Sequence, residues 1–297
     1  MPELPEVESL RRSLIPVLTG RTIKSVKVHR AKLVSSAGTV RKENPTKVAE
    51  FERELTGETF KTAERIAKNL IFTFESGKTM LVHLKMTGQL VYTDGENTTL
   101  GGHPIQVSET ELPNKHSHIH FELDKGWLYF NDVRMFGYVL YFPDRESLMQ
   151  ENALQNVGMD PMTEDFTFEP FYKPLKKKKK VLKTALLEQS IVTGLGNIYV
   201  DEVCFRAGVR PTRRTDNVTK KEYEKLFEAI KYIIPRAVEQ GGSSVANYIM
   251  ADGSRGTYAR EHKVYNRGGK ECLVCGTTLK SLKVNGRTTV YWPHDQK

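Results

Sequence analysis

An α+β chain of two domains is predicted: an N-terminal β-sandwich or barrel behind one leading helix, then a helical domain that closes on strands and turns. Three observations carry this. Residues 22–142 hold a succession of short apolar runs broken by turn signals, and the pattern is helical before them and again beyond residue 175. An irregular stretch, DPMTEDFTFEPFYKP, separates the two patterns. The 297 residues suffice for roughly two domains with a sizeable core.

The elements follow in order. Residues 5–18 read as a helix, with Val7, Leu10, Leu14 and Leu18 at helical spacing and Gly20 as the stop. Ile23, Val26 and Val28 begin the strands. KNLIFTF, TMLVHLKM, SHIHFEL, GWLYFND and GYVLYF continue them, with SGK, TDGEN and DKG as turns. Past the irregular stretch, TALLEQSI and NIYVDEVCFRAG read as helices joined through TGLG. KKEYEKLFEAIKYII reads as a longer helix, bent at Pro235 and running to Gly241–Gly242. Residues 257–297 read as strands and turns around CLVC, and no internal repeat is visible.

Composition narrows the function classes. Apolar residues make up 38% and charged residues 27%, and no run approaches the roughly 18 apolar residues of a membrane span. The N-terminus has no apolar signal-peptide core. Cys204, Cys272 and Cys275 do not make a disulfide framework, so a reducing, intracellular compartment is expected. Net charge is +9 and the pI about 9.3, which suits a polyanion, nucleic acid before acidic membrane. The lysines concentrate in KPLKKKKKVLK, which reads equally as a solvated linker or as a phosphate contact.

Four local patterns carry chemistry. In MPELPEVE, removal of Met1 leaves Pro2 as a free secondary amine beside Glu3; an α-amine, with an ordinary pKa of roughly 7.7–8.0, is partly neutral and nucleophilic near pH 7. The plain alternative is that Pro2 only halts helix formation ahead of Pro5. In LEQSIVTGLGNIYVDE, a Gly-rich turn before a helix offers outward-pointing amides and Asn197 to a phosphate, or Gly194 and Gly196 are simply turn glycines. In HLKMTGQL and FNDVRMFGYV, Met86 and Phe136 sit at strand ends beside polar residues, as wedges for base stacks or as ordinary core residues. Lys68 in RIAKNLIF precedes an apolar strand, as a functional amine or as a surface lysine.

The order and spacing of MPELPEVE, RIAKNLIF, HLKMTGQL, KHSHIHF, NDVRMFG, LLEQSIVTGLGNIYVDE, GGSSVANYI, RGTYAREHKVYNRGG and ECLVCG resemble the formamidopyrimidine-DNA glycosylase family, relatives of endonuclease VIII, from the first residue to the last. The resemblance implies a catalytic β-sandwich over 1–150, a linker over 151–175, a helix–two-turns–helix DNA-binding domain over 176–256 and a zinc-finger-like β-hairpin over 257–297. It implies Pro2 as the nucleophile that forms a Schiff base at C1′, Glu3 as general acid/base, Lys68 in the proton relay of β-elimination and Arg287 in δ-elimination. His116, Arg134, Lys179, Asn197 and Arg287 are implied as contacts to the DNA backbone. Met86, Arg134 and Phe136 are implied as the trio that fills the void left by the extruded nucleotide. Residues 252–260, DGSRGTYAR, resemble the loop that closes over the extruded base. A base inside a duplex is out of reach, so it must be extruded and the gap refilled.

The chain departs from the family pattern in its tail. Cys272 and Cys275 form one CxxC pair, but after sixteen intervening residues the second pair falls on Trp292 and Asp295. Structural zinc usually has four Cys or His ligands, so no cofactor is expected and a metal-free hairpin is. Lys85 replaces the glycine usual in HLGMSG, Ser117 replaces an aspartate after His116, and Met135 stands where a second arginine is common. The expected partner is damaged double-stranded DNA, with no membrane, acted on by a monomer in the cytoplasm at the nucleoid. Oxidised purines are the favoured substrates: 8-oxoguanine, formamidopyrimidines and hydantoins. The alternatives are an endonuclease VIII-like glycosylase for oxidised pyrimidines, a catalytically silent DNA- or RNA-binding module, and a lysine-rich ribosome- or membrane-associated protein.

Overall fold

Val7, Leu10, Leu14 and Leu18 are buried along one face of helix α1, Leu4–Leu18, as their spacing predicts. A computed structural model describes residues 2–38, 41–102, 112–243 and 256–297. They fall into two units. One holds Pro2, Glu6–Gln155 and the described part of Gly241–Gly256; the other holds Glu3–Pro5, Asn156–Gln240 and Thr257–Lys297.

The first unit has two antiparallel sheets. Strands β1 (Ile23–Val28), β5 (Gly88–Thr93), β6 (Thr98–Gly102), β7 (Ser117–Leu123) and β8 (Trp127–Asp132) form one, in the order β1-β7-β8-β5-β6. Strands β2 (Phe60–Ile66), β3 (Asn69–Phe74), β4 (Thr79–His83) and β9 (Tyr138–Phe142) form the other, in the order β2-β3-β4-β9. Leu90, Ile119, Phe121, Leu128 and Phe130 of the first share one buried cluster with Phe60, Phe72, Met80 and Val82 of the second, so the unit is a sandwich rather than a barrel. Leu10 and Leu14 of α1 join that cluster.

Two helices interrupt the region expected to be all strands: α2 (Lys32–Ser35) and α3 (Pro45–Leu55). The start of α3 has a clear cause. The Asn44 side chain accepts the N–H of Lys47 as an N-cap, and Pro45 takes the first turn, where its missing N–H is harmless. Phe51 and Leu55 then bury one face.

The segment expected as a linker, 151–175, is structured. After α4 (Arg145–Met149), helix α5 runs Phe168–Lys177 and buries Leu175 and Phe171, the latter against Tyr223 and Phe227 of α8 (Lys220–Glu239). Its two prolines and its lysines hid it, yet Pro170 lies in the first turn and the lysines line the exposed end. The helix expected in TALLEQSI is α6, Leu182–Leu186, which stops before the glutamate. Helix α7 runs Asn197–Ala207 and ends on Gly208 in the left-handed conformation, φ +69°. Thr219 and Glu222 form a capping box for α8. Strands β10 (Lys280–Val284) and β11 (Arg287–Tyr291) make the terminal hairpin around Asn285–Gly286, both at positive φ, the backbone that a two-residue turn requires.

Candidate active site and DNA-contacting residues

Glu3 is buried, and its carboxylate caps α7. It accepts the N–H of Ile198 at 3.0 Å and of Tyr199 at 3.4 Å, donors that Gly196, the N-cap, has no side chain to satisfy. Negative charge is favoured at that helix end. A Cβ at Gly196 would lie 2.4 Å from the Glu3 carboxyl carbon, so a larger residue there would push the carboxylate from this seat. The neighbouring Gly194, φ +84°, accepts the Leu4 N–H at 3.0 Å through its carbonyl. The Gly-rich turn is therefore a dock for residues 3 and 4. The phosphate reading of its amides is corrected at Ile198 and Tyr199, whose N–H groups Glu3 takes.

Asn197 begins α7 and donates its side-chain amide to the Thr288 carbonyl at 3.1 Å. Lys183 of α6 donates to the same carbonyl at 3.1 Å and pairs with Asp201 of α7 at 2.6 Å; both side chains are fully buried. Asp201 also accepts the Val290 N–H at 3.0 Å. These bonds bring Asn197 and Arg287 together, since Arg287 precedes Thr288 and stands exposed at the hairpin tip. Burial, countered by Lys183, lifts Asp201 to about 6. Lys179 is exposed at positive φ and has no ion pair among the described residues. In the lysine run, Lys176 bonds the carbonyls of Asp216 and Val218, and Lys178 and Lys180 both reach Glu188. Lys177 and Lys179 are left to solvent.

In the first unit Pro2 is buried, and Glu6 accepts the Ser243 N–H at 2.7 Å, which seats the start of GGSSVANYI. Lys68 is buried in the two-residue turn between β2 and β3, after Ala67 at φ +56°. Arg65 sets that turn, donating to the Ala67 carbonyl at 2.9 Å while facing Glu8 at 3.3 Å. Burial pushes Glu8 up, but hydrogen bonds from Arg11 and Arg12 and the charges of Arg11 and Arg65 hold it at about 2.

Met86, Arg134 and Phe136 come together through a residue that the sequence reading passed over. Asp132, fully buried at the end of β8, accepts the Gly137 N–H at 2.7 Å, the Arg134 N–H at 3.1 Å and the Thr87 hydroxyl. One carboxylate thus ties the 84–87 turn to the 133–137 turn. Arg41 closes the second turn from its other side, donating to the carbonyls of Gly137 at 2.7 Å and Met135 at 2.9 Å. Met135 packs against the main core. Met86 is 41% exposed, which decides against its being a core residue, and the Arg134 guanidinium lies 4.5 Å over the half-buried Phe136 ring. His116 presents its carbonyl to the Asp132 N–H at 3.0 Å, and the Ser117 hydroxyl accepts the Asn114 N–H at 3.0 Å.

His83 was also missed. Lys85 donates its N–H to His83 Nδ1 at 3.0 Å, so the neutral ring carries its proton on Nε2. Burial, with the charges of Lys85 and Lys68, keeps the ring well below the ordinary imidazole value. His83 is therefore a neutral donor in the neighbourhood of Lys68. Its signal was its place in HLKM, next to the exposed turn.

The C-terminal hairpin has a small core of Val264, Cys272, Leu279 and Val290, against which Phe205 and Trp292 pack with rings 5.7 Å apart. Cys272 Sγ accepts the Val274 N–H at 3.5 Å, and the Cys275 thiol donates to Thr277 at 3.2 Å. Asp295 pairs with its neighbour His294. Among the described residues no three His, Cys, Asp or Glu side chains gather, so the donor set does not fit a four-ligand zinc site. Of DGSRGTYAR, residues 252–255 lie outside the described residues, while Tyr258 and Arg260 fall in a short 3-10 turn.

Residues 1–139 match the formamidopyrimidine-DNA glycosylase N-terminal domain, and residues 157–248 match the formamidopyrimidine-DNA glycosylase H2TH domain. The chain belongs to the formamidopyrimidine-DNA glycosylase family. It is 36% identical to the formamidopyrimidine-DNA glycosylase of Desulfitobacterium hafniense over 293 residues, covering 99% of this chain and 98% of that one. It is similar to the Lactococcus lactis enzyme solved with abasic-site DNA, with a TM-score of 0.85 and 31% identity over 99% of both chains. The wild-type L. lactis enzyme with N7-benzyl-Fapy-dG DNA matches over 100% of both chains, again at 0.85 and 31%. The glycosylase family accounts for the α+β fold, the DNA partner and the repair activity implied by the sequence. No helix among the described residues is long and apolar enough to cross a membrane.

Proposed function

We propose that this chain is a bifunctional DNA glycosylase and AP lyase of base-excision repair that removes oxidised purines, acting on the nucleoid. The observation that carries the reading is the seat of Glu3. The residue beside Pro2 is a buried carboxylate aimed by two amides of α7, in the space that Gly196 leaves for it.

With Met1 removed, the Pro2 nitrogen attacks C1′ of the damaged nucleotide and the bond to the base breaks. Glu3 moves the protons of base release and sugar ring opening. The resulting iminium joins Pro2 to C1′ and acidifies the C2′ hydrogens. Loss of one expels the 3′ phosphate in β-elimination, with Lys68 in the relay; a second elimination, assisted by Arg287, expels the 5′ phosphate. Met86, Arg134 and Phe136 fill the vacated stack. Asn197, His116 and Lys179 hold the DNA backbone. The hairpin bearing Arg287 folds without metal, with Trp292 taking the volume that a metal and its ligands would occupy.

The test is borohydride trapping on duplexes carrying 8-oxoguanine opposite cytosine or an abasic site, with mass mapping of the cross-linked peptide. A cross-link at Pro2 on both is expected. No cross-link on either would leave a DNA-binding protein without this chemistry, and one on the abasic duplex alone would move the substrate away from 8-oxoguanine. Glu3→Gln should slow excision by about 10²–10⁴-fold while binding persists. One zinc per chain by elemental analysis would overturn the metal-free hairpin.

A further inference from the structure

Lys85 is a departure from the family pattern that the chemistry above leaves unused. It lies in the 84–87 turn directly before Met86, at φ +50°, a backbone conformation in which lysine is uncommon. Its side chain is half-buried, yet among the described residues its ammonium makes no ion pair. An aromatic ring and a second cation lie near it. Lys85 Nζ lies 5.5 Å from the centroid of the Tyr138 ring, and the Arg41 guanidinium lies 5.8 Å from the same ring. Asp132, which acts on Arg41, is already engaged by Thr87, Arg134 and Gly137, and Glu151 lies in the neighbourhood of the Tyr138 ring.

We propose that Lys85 is a DNA-binding residue that holds a backbone phosphate of the duplex at the edge of the void Met86 enters. A half-buried cation without a counter-charge, beside a second cation, is a site for an anion. Burial and Arg41 both make the Lys85 ammonium harder to keep charged in the free protein; an arriving phosphate relieves that. Lysine suits the role as a compact charge on a flexible stem. The contact would hold the backbone while the adjacent methionine enters the stack, so positioning and void-filling would come from consecutive residues of one turn.

This inference rests on the DNA-repair reading, and one experiment separates the two. Binding to a duplex with a tetrahydrofuran abasic analogue is measured by fluorescence anisotropy between 50 and 200 mM salt (roughly the range over which phosphate contacts are read). Wild type, Lys85→Met, Lys85→Asn and Lys85→Arg are compared. Each phosphate contact contributes about 0.9 to the slope of log affinity against log salt. Lys85→Met and Lys85→Asn should each lower the slope by about that amount, so that their binding defect is about threefold larger at the low-salt end. Lys85→Arg should restore the slope. Asparagine tolerates left-handed backbone, so its variant keeps the turn. An unchanged slope in both neutral variants overturns the proposal, and so does a slope lowered equally in Lys85→Arg. Wild-type protein that fails to bind or to trap with borohydride would instead overturn the repair reading.

Discussion

Glu8 and Asp201 are buried carboxylates that face cations, and their surroundings move them in opposite directions. Three guanidiniums converge on Glu8, and Arg12 keeps half its side chain in water. Burial is outweighed there, and Glu8 sits at about 2. Asp201 has one ammonium, Lys183, and neither side chain touches solvent. Burial wins there, and Asp201 rises to about 6. The number of counter-charges and their access to water decide the sign, not the presence of an ion pair. Each pair braces a different turn or strand: Glu8 faces Arg65, which bonds the turn that carries Lys68, and Asp201 bonds the strand that carries Arg287.

The sharpest way to break this comparison is Asp201→Asn. It leaves the Lys183 ammonium buried without a counter-charge, and a loss of about 3–5 kcal/mol in urea unfolding is expected. A loss under about 1 kcal/mol would show that the pair adds little net stability. Glu8→Gln should cost less, about 2 kcal/mol, the scale of hydrogen bonds to charged groups, because Arg11 and Arg12 can turn to water. The smallest and most discriminating effect is on pH dependence. Glu8 lies below its ordinary 4.5, so its stabilisation is complete above that value and is lost as pH falls toward about 2. Asp201 lies above its ordinary 3.8, so its contribution is complete below that value and is lost as pH rises through about 6. Hydrogen exchange read on peptides from α1 and α7 should therefore show opposite trends across this range. Parallel trends would mean that one of the two environments has been misassigned.

Much of the architecture was legible because periodicity is local. The α1 stripe and the strand runs are patterns within a few residues of one another. Helix α3 was missed although Asn44–Pro45 is a start signal and Phe51 and Leu55 share a face, because it sits inside a long strand-like region. Helix α5 was read as linker because proline and lysine dominate its composition, while Phe171 and Leu175 reveal their burial only once α8 is present. In the candidate site, the choice of Pro2, Glu3 and Lys68 was legible through the family resemblance. What each side chain bonds was not. Glu3 and Ile198 are 195 positions apart, Asp132 and Thr87 are 45 apart, and no local pattern pairs residues at such distances. Asp132, Arg41 and His83 escaped notice for that reason: their roles are bonds to other turns.

The seat of Glu3 also sets an order of events during synthesis. Residues 3 and 4 are made well before their partners, the Gly194 carbonyl and the amides of Ile198 and Tyr199, which follow 190 or more residues later. At typical elongation rates that interval is roughly 10–40 s. Throughout it the Glu3 carboxylate has no helix end to dock on. The Glu3 carboxylate thus finds its seat late, after the second unit has begun to emerge.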